Sequence, residues 1–574
     1  MGKKSRAKKN KRKEKEEKKT KKKTSKKHIK KTKIFGGVLA LIMLALLITV
    51  AYLVFQRAFR ATPIAKYLPA EQTVAFASLN TDFNHKQLTN AISLLKDHED
   101  LNKDQVIAYF EEKYLIDYSN DIQPWLGRQV GTALLYSNEN TLSQLYFAEV
   151  YSHANAQKYF ADNTDKQTYA EHTIYFNNQG RYITIIHDHA FISEDEIILK
   201  ELIDFQSSGE QRLYDQQDYR RVDDNLPFSK LAYLYIDFTK VRGSFFEYFP
   251  IFGENQITIN QIQPVMKFFS TEGIAIIAQE DKFAAQSFIG LSPENIEDNI
   301  YFAHKSKYQG ELTSYIPENA LAFWGGINLE YQLKRILELL SNGEKPVISE
   351  FDSLLETYTK KYLGPEINFE QDVLPLFANE YAFAIEKIDD TNVFKVVFDL
   401  EDPEKDTVLL HEIADNFAEI GAVFQPKVVT HTLDDGTTTK EIIAVPEKIQ
   451  KKETTHNGNT IYEMNIGRDI DWGIFFTIED NRAIVATHRE GIISSLDALK
   501  GSTKSLKASE KYESLFTPIL QSSDELTYFN LNELIAILAP DQELPQIVQD
   551  IEAFASGKNY FYDGIVTINY MTLK

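Results

Sequence analysis

Residues 65–80 read AKYLPAEQTVAFASLN, and residues 313–328 read TSYIPENALAFWGGIN. Aligned without gaps at an offset of 248, the two segments place Pro69 opposite Pro317. In each segment a proline precedes a run of apolar residues, which predicts an opening β-strand. A long segment that recurs in this way indicates a chain built from two related units.

The repetition continues in the same order along both copies. DIQPWLGRQVGTALLY (121–136) matches DVLPLFANEYAFAIEK (372–387) at an offset of 251. AEVYSHANAQKYFADN (148–163) matches the segment that ends in HEIADN (411–416) at an offset of 253. Because the offset stays nearly constant over three blocks, the match extends over whole units rather than single motifs.

After the third block the second copy gains residues. The next pairs of blocks are TIIHDHAFIS (184–193) with FTIEDNRAIV (476–485), and KLAYLYIDF (230–238) with ELTYFNLNE (525–533). Their offsets are 292, which places Asp188 opposite Asp480, and 295, which places Tyr233 opposite Tyr528. The extra residues fall near 425–460, where TLDDGTTTKEI has an Asp-Gly turn between strand-like runs. We therefore predict an inserted hairpin there.

These five matched blocks predict two ectodomain repeats, 66–310 and 311–574, preceded by a linker at 56–65. Amphipathic stretches such as NLEYQLKRILELLSNG, with Asn328 as N-cap, and EDEIILKELIDF, near 194–205, predict helices. Candidate strands of the first repeat follow one another with short turns, which favours antiparallel pairing. We predict an α+β fold of two tandem duplicated units, each an antiparallel sheet with helices on one face, after one transmembrane helix. The candidate strands are Thr73–Leu79, Gln129–Tyr136, Leu145–Tyr151, Arg181–His187, Leu231–Phe238 and Gly273–Gln279.

Residues 34–55 form an uncharged run of 22 residues, IFGGVLALIMLALLITVAYLVF. As a helix this run reaches about 33 Å, enough to cross a hydrocarbon core of about 30 Å. Because 19 Lys or Arg residues lie in 1–33, the positive-inside rule predicts a cytoplasmic N-terminus and an extracytoplasmic C-terminal domain in the cell membrane. A cleavable signal peptide is the alternative, but no small-x-small site follows, and we predict an uncleaved, single-pass signal anchor.

The Lys-rich tail, residues 1–33, carries a net charge of +16, which leaves −36 for the other residues because the whole chain carries −20. Such a run predicts a disordered cytoplasmic tail that fixes topology and lies against anionic lipid headgroups. It contains no Phe, Tyr or Trp to stack on bases, so we expect no nucleic-acid partner.

The chain contains no cysteine. This excludes disulfide frameworks, thiolate zinc sites, iron–sulfur clusters and cysteine nucleophiles. An exported domain of this size without cysteine is typical of bacteria, because eukaryotic ectodomains usually carry disulfides. The hydrophobic fraction of 43% and the aromatic fraction of 12% predict that most of the 574 residues fold.

These blocks resemble a bacterial family of membrane-anchored proteins catalogued as domain of unknown function thirty-three fifty-two. The resemblance lies in the strand after Leu68-Pro69, in Asp121-Ile122-x-Pro124-Trp125-Leu126-Gly127, and in later strand–turn–strand and Tyr-rich segments. It covers most of residues 66–574. The second repeat departs from it with Pro375-Leu376-Phe377-Ala378. The resemblance implies bacterial origin, duplication and export, and it implies no activity, cofactor or site residue.

The Pro-Trp-Leu-Gly motif has a structural interpretation. Pro124 would start a turn, Trp125 would bury a large ring, and Gly127 would take a conformation that other residues resist. If the motif instead contacted a ligand, only the first repeat would keep that site.

No motif in the chain predicts a particular chemistry. Nucleotide-binding loops and the Gly-x-Ser-x-Gly elbow are missing, and we assign no catalytic, cofactor-binding or metal-ligating residue. Ser93-Leu94-Leu95-Lys96 fits a Ser-x-x-Lys pattern without its companion motifs. His187-Asp188-His189 could chelate a metal on a strand, but the matching Glu479-Asp480-Asn481 favours a polar turn.

Adjacent acidic residues could bind calcium or serve a glycosidase. Because such pairs are abundant, none is distinguished, and a solvated acidic surface explains them. The pairs are Glu111-Glu112, Asp223-Asp224, Asp389-Asp390 and Asp434-Asp435.

We predict a membrane-anchored, extracytoplasmic binding or scaffolding protein of the bacterial cell envelope, not an enzyme, with an envelope protein or cell-wall ligand that no motif identifies. The first alternative is a structural partner in an envelope protein complex. The second is a carboxylate-dependent hydrolase of envelope polymers. A cleft at the junction of the repeats is the expected ligand position, where Trp324 or Tyr331 could hold sugar, peptide or lipid; core packing is the other role for both.

Overall fold

Twenty strands of the described chain hydrogen-bond into one sheet, and two more form a separate hairpin. The computed structural model describes residues 63–96, 103–114, 117–178, 180–241, 267–296, 308–334, 351–420, 423–433, 436–447, 451–465, 472–520, 523–538 and 549–573. All of them belong to one compact unit, Pro63–Lys574.

The strands are β1 (Thr73–Asn80), β2 (Leu126–Tyr136), β3 (Leu142–Val150), β4 (Asp165–Tyr169), β5 (His172–Phe176), β6 (Tyr182–Ile186), β7 (His189–Ser193), β8 (Ala232–Asp237), β9 (Phe269–Ala278), β10 (Phe283–Leu291), β11 (Ala322–Ile327), β12 (Glu380–Ile388), β13 (Thr391–Asp399), β14 (Val423–Thr432), β15 (Thr438–Glu447), β16 (Lys451–His456), β17 (Asn459–Asn465), β18 (Gly473–Glu479), β19 (Arg482–Ala486), β20 (Glu525–Asn530), β21 (Ile551–Phe561) and β22 (Gly564–Leu573).

The α-helices are α1 (Lys86–Leu95), α2 (Lys103–Tyr114), α3 (His153–Asn163), α4 (Glu196–Ser208), α5 (Gln217–Asp224), α6 (Phe351–Tyr362), α7 (Pro403–Ile420), α8 (Arg489–Leu499), α9 (Glu510–Leu520) and α10 (Leu531–Leu538), with a single turn at Pro293–Ile296. Short 3₁₀ or π turns lie at Ile64–Lys66, Tyr118–Ile122, Leu213–Asp215, Phe238–Lys240, Glu311–Tyr315, Phe369–Val373, Leu374–Phe377 and Leu506–Ala508.

The spatial order of the strands is symmetric about the middle of the sheet. From one edge to the other it runs β4-β5-β6-β7-β3-β2-β1-β8-β9-β10-β22-β21-β20-β11-β12-β13-β19-β18-β17-β16, and every pairing is antiparallel. The central pair joins β10 to β22, from Phe283 opposite Met571 to Gly290 opposite Gly564. The prediction of an α+β protein with antiparallel pairing is confirmed.

One face of the sheet, the inner face, packs against α4 and α5 in the first half (63–296) and against α8 and α9 in the second half (308–573). Strand residues alternate between the two faces, so Phe147 and Phe191 lie in the first inner core, and Phe323 and Ile484 in the second. Because these rings and branched chains are fully buried, the inner cores supply most of the apolar burial that stabilises the sheet.

Helices also pack on the opposite, outer face, so the prediction of helices on one face is wrong. Ala156 and Phe160 of α3 contact Ala148 and Val150, whose neighbour Phe147 points to the inner core. On the second half, α7 packs on the outer face in the same way. The physical reason is that the strands toward both ends of the sheet are apolar on both faces, and both faces must leave water.

The order of elements in the first half recurs in the second. Strands β1–β3, α3, β4–β7, α4, α5 and β8–β10 are followed later by β11–β13, α7, β16–β19, α8, α9 and β20–β22. An isolated bridge joins Pro69 to Arg212 in one half and Pro317 to Ser505 in the other. The hairpin β14–β15 has no counterpart between α3 and β4 in the first half.

The hydrogen-bond ladders correct the register of the sequence alignment. Phe76 and Phe323 both point into the inner cores, so Phe323, and not Trp324 as in the gapless alignment, is equivalent to Phe76. Phe76 pairs with Tyr235, and Phe323 pairs with Tyr528. Tyr235 rather than Tyr233 is therefore equivalent to Tyr528. His187 and Asp480 each begin a two-residue turn with positive φ, at 50° and 49°, which makes them equivalent and shifts that block by one residue. Sequence alignment misses such shifts because neighbouring apolar strand residues resemble each other while they point to opposite faces.

The predicted helix starts are present in the described chain. A helix begins at residue 329, and Asn328 Oδ1 accepts a hydrogen bond from the Tyr331 backbone N–H at 3.0 Å, as expected of an N-cap. Asp195 caps α4 by accepting from the Ile197 N–H at 2.9 Å. The predicted membrane span, 34–55, and the Lys-rich tail lie outside the described residues. Within the described ranges, none of the helices combines the length and the apolar character that a membrane crossing requires.

Candidate functional site

The outer face of the second half contains an open, apolar cavity of about 680 Å³. Its wall is formed by strands β11, β12, β13, β18, β19, β20 and β21. Val485, Val396, Phe383, Trp324 and Thr527 are successive cross-strand partners along this wall. Because paired residues share a face of the sheet, five neighbouring strands present one continuous row of side chains to the cavity.

Trp324 occupies the centre of this row. Its indole ring stacks on Phe383, with ring centroids 5.3 Å apart and an interplanar angle of 17°, and meets the edge of Tyr381 at 5.4 Å. Trp324 is half-buried, so one part of the ring packs against the sheet while another part faces the cavity. The packing role predicted for this residue is thus observed, while its role in binding stays a prediction.

Two further aromatic side chains extend the apolar wall. Phe394, on β13, is 53% exposed, although it belongs to a strand in the interior of the sheet. Phe529, on β20, stacks with Phe554 at a centroid distance of 6.2 Å. Exposed apolar surface of this kind, gathered in a concavity, is typical of a ligand site rather than of a solvated surface.

The cavity has one charged end. Lys558 Nζ lies 2.7 Å from Glu525 Oε1, and the Tyr560 hydroxyl donates to Glu525 Oε2 at 3.0 Å. The Glu525 side chain is 4% exposed, whereas that of Lys558 is 41% exposed. The carboxylate is thus held from two sides inside the wall, and the ammonium group is presented at its surface.

A second lysine of the wall, Lys395, points away from the cavity. Its Nζ lies 2.7 Å from Glu386 Oε1 and donates to the hydroxyls of Ser494 and Ser495 at 2.8 and 3.0 Å, under α8 on the inner face. Burial lowers the pKa of Lys395, and the adjacent Glu386 carboxylate opposes that shift. This ion pair belongs to the inner core, so the ammonium group of Lys395 does not lie in the cavity.

Neither ion pair occurs at the equivalent positions of the first half. In the first half Ala133 pairs with Leu145, and in the second half Ala384 pairs with Lys395, so Leu145 is equivalent to Lys395. Leu135 and Glu386 each lie two residues after the paired alanine, and they are therefore equivalent as well. Glu525 on β20 pairs with Lys558 on β21, and the equivalent pair of the first half, on β8 and β9, is Ala232 with Ile276. The charged end of the cavity is therefore specific to the second half.

The cavity lies within the second half and not at the junction of the halves, where a cleft was expected. At the junction β10 and β22 form a regular ladder, so the halves meet edge to edge instead of packing face to face. Tyr331, the other predicted aromatic, follows the Asn328 cap and is not part of the cavity wall.

His187 and Asp188 form the turn between β6 and β7, and His189 begins β7. The His189 ring is fully buried, and its Nδ1 lies 2.9 Å from Asp188 Oδ1, which also accepts the Tyr67 hydroxyl. His187 is exposed, so the two imidazoles occupy different environments. Among the described residues no group of three His, Asp or Glu side chains could hold a metal ion.

Trp125 of the Pro-Trp-Leu-Gly motif is buried against Phe160 and donates its Nε1–H to the Asp121 carbonyl at 2.7 Å. The interpretation of Gly127 is corrected, because its φ is not positive. Instead, a Cβ at this position would lie 2.8 Å from Glu149 Cγ. Glycine is required here by close approach rather than by an unusual backbone conformation.

The acidic pairs and the Ser-x-x-Lys segment lie apart from the cavity wall. Glu111-Glu112 is on α2, Asp223-Asp224 ends α5, and Asp389-Asp390 is in the turn between β12 and β13. Asp434-Asp435 lies outside the described residues. Ser93 and Lys96 are exposed at the end of α1.

A family model described as "Protein of unknown function (DUF3352)" matches residues 36–419. No curated protein sequence matches the chain. Among solved structures, crystal forms III, I and IV of TP0453 match with 11%, 9% and 11% identity and TM-scores of 0.23, 0.25 and 0.24. They cover 41%, 41% and 42% of this chain and 81%, 80% and 85% of the other. At such TM-scores the likeness carries no inference about this chain.

Proposed function

The chain belongs to the DUF3352 family of proteins of unknown function, and within that family we propose that it is a membrane-anchored, extracytoplasmic binding protein of the bacterial cell envelope. Its ligand is an amphiphile whose long apolar chain occupies the outer-face cavity of the second half. The observation that carries the proposal is the apolar wall built around Trp324, Phe383, Phe394 and Phe529.

The composition of the wall favours an apolar chain over a sugar or a peptide. Sugars and peptides present hydroxyls and amides that need hydrogen-bond partners when they leave water. In this wall the polar side chains are confined to Thr487, Thr527, Glu525 and Lys558, because Lys395 is directed to the inner face. The volume of about 680 Å³ lies within the usual range for small-molecule sites.

The uncharged segment 34–55, which we propose to be a membrane anchor, supports the same proposal. The uncharged segment 34–55 would hold the C-terminal domain beside the bilayer, and the Lys-rich tail would bind anionic headgroups on the cytoplasmic side. A protein held there meets single-chain and double-chain lipids at high local concentration. We propose that the anchor is not cleaved.

We also propose that the two halves arose by duplication of one unit. Three observations support a duplication: the repeated order of elements, the symmetric strand order, and the equivalent bridges at Pro69 and Pro317. On this proposal the second half acquired the binding site by divergence, since Ala77 stands where that half has Trp324 in the ladder.

Quenching of tryptophan fluorescence tests the proposed ligand, because the chain has three tryptophans. The W125F/W472F variant keeps Trp324 alone, and full-length protein is placed in lipid nanodiscs. Titration with a fatty acid brominated in mid-chain should quench Trp324 saturably, and the unbrominated acid should reverse the loss. The matched control W324F/W472F keeps only Trp125, which lies in the core under α3 and should not respond. Equal quenching of both tryptophans, or of neither, would contradict the proposal.

A protein partner is a second candidate, favoured by the β14–β15 hairpin. Val428 and Ile442 are opposite each other in this ladder and are 55% and 71% exposed. A two-stranded hairpin is marginally stable on its own, so an envelope protein that covers this apolar pair would stabilise it. Loss of a crosslinked partner from membranes on V428D/I442D substitution, with ligand binding unchanged, would support this role.

A further inference from the structure

We infer that Lys558 gives the outer-face cavity a subsite for an anionic headgroup, so that the ligand is an amphiphile ending in a carboxylate or a phosphate. This inference rests on the proposed function, because it specifies the polar end of the same ligand. It concerns the charged end of the cavity, where β20 and β21 bring Glu525 and Lys558 together.

Lys558 retains hydrogen-bonding capacity that its partner does not satisfy. An ammonium group has three N–H donors, and one of them is directed to Glu525 Oε1 at 2.7 Å. Glu525 is engaged by Lys558 and by the Tyr560 hydroxyl, which fixes the position of the carboxylate. The other donors of Lys558 remain for an anionic oxygen at the cavity surface, where a charge-assisted hydrogen bond is strong.

The second lysine of the wall is not available for this role. Lys395 Nζ is surrounded by Glu386, the two serine hydroxyls and the Gly491 carbonyl, at 2.7 to 3.2 Å. Its donors are therefore all directed to the inner face. Among the described residues of the wall, Lys558 is the cation that a ligand in the cavity can reach.

The sheet itself does not require charge at the Lys558 position. The equivalent pair of the first half is Ala232 with Ile276, and the ladder there is regular. An ion pair with one partner this exposed contributes little to folding stability. A headgroup subsite accounts for the ammonium group at the edge of an otherwise apolar wall. The alanine and isoleucine of the first half offer a substitution for Glu525 and Lys558 that the fold accommodates.

The test compares three amphiphiles with the same 14-carbon chain on full-length protein in nanodiscs. They are myristate, with a carboxylate head, myristoyl-lysophosphatidylglycerol, with a phosphate head, and monomyristin, which is neutral. Competition against the brominated fatty acid gives the affinity of each for the wild type and for E525A/K558I, which installs the residues of the first half. Since partition into the nanodisc is the same for both proteins, the ratio of their affinities isolates the headgroup contact.

We expect E525A/K558I to lower the affinity for one or both anionic amphiphiles about tenfold relative to the affinity for monomyristin. Recovery in K558R, with K558M retaining the defect, would assign the effect to the cation. The anion that loses more affinity identifies the head as carboxylate or phosphate. An equal change for all three amphiphiles, or no change, would overturn the subsite while leaving the apolar site standing. Failure of monomyristin and both anions to compete in the wild type would instead overturn the proposed function.

Discussion

Lys395 Nζ lies 2.7 Å from Glu386 Oε1 in the inner core of the second half, at the position where the first half has Leu145 beside Leu135. Both charged side chains are almost fully buried. The inner cores of the two halves are topologically equivalent. At this position the first core contains an apolar pair, and the second contains an ion pair together with two serine hydroxyls. The comparison supplies a natural reference for the energetic contribution of the ion pair.

Replacing either Lys395 or Glu386 alone should strongly lower the free energy of unfolding, and replacing both together should not. K395L or E386L leaves an unpaired buried charge, so each should lower the free energy of unfolding by about 3–5 kcal/mol. The double variant E386L/K395L restores the pair found in the first half and should lie within about 1 kcal/mol of the wild type or above it. Urea denaturation monitored by circular dichroism measures all three. A double variant as unstable as the single variants would show that the serine hydroxyls require the ion pair.

Shortening Trp324 should weaken ligand binding without unfolding the protein. In W324A the cavity loses its central ring, and the affinity for a fatty acid should fall about tenfold or more, as at a central aromatic contact. W324F keeps a ring on Phe383 and should lose less. Because Ala77 holds the equivalent position in the first half, the sheet should accommodate alanine. Competition against a fluorescent fatty acid measures the affinities, and an unchanged affinity in W324A would remove Trp324 from the site.

Glu272 should make the free energy of unfolding depend on pH. It lies on β9, and burial raises its pKa above the usual value, so the folded state holds the proton more tightly than the unfolded state. Its contribution to stability is therefore complete below the unfolded pKa of about 4.5 and is lost as the pH rises through the raised folded pKa. E272Q removes this dependence, so its stability relative to wild type should increase as the pH rises above about 4.5 and then level off.

Urea denaturation between pH 4 and pH 8 checks this expectation. A difference between E272Q and wild type that does not vary with pH would mean that Glu272 keeps its proton equilibrium on unfolding.

Deletion of the β14–β15 hairpin should leave the sheet intact. In the first half a single residue, Thr164, connects α3 to β4, whereas residues 421–450 connect α7 to β16. Replacing 421–450 with Gly-Ser should change the free energy of unfolding by no more than about 1 kcal/mol, as expected for an exposed connection. Cavity binding should persist. Aggregation or loss of the fatty-acid site would show that the hairpin is part of the folded unit.

Single cysteines can report the topology, because the chain has no cysteine of its own. Ser5→Cys lies in the Lys-rich tail, and Glu139→Cys is in the exposed turn between β2 and β3. In intact bacterial cells or spheroplasts a membrane-impermeant maleimide should label residue 139 and not residue 5, because we expect the polycationic tail to stay in the cytoplasm. Labelling of both positions only after lysis would contradict an extracytoplasmic domain.

The candidate site could be predicted only in small part. The sequence named Trp324 as a contact in a cleft at the junction of the repeats, whereas it lines a cavity within the second half, and Phe383, Phe394, Phe529 and Lys558 were not named. The runs EYAFAIEKI (380–388) and TNVFKVVFD (391–399) are apolar at both odd and even positions, which is a signal of strands buried on both faces. That signal could have shown that the outer face is apolar, but not that the described helices cover only part of it.

The sequence by itself determined the α+β class, the antiparallel pairing of closely spaced strands and the helix cap at Asn328, because these depend on alternation, short turns and local hydrogen bonds. Only the tertiary structure decided that the two halves join edge to edge through β10 and β22. It also decided which strand residues face Trp324 and that Lys558 rather than Lys395 reaches the cavity. Cross-strand partners are far apart in the chain, and a register shift of one residue exchanges the two faces, so no local pattern fixes which side chains meet.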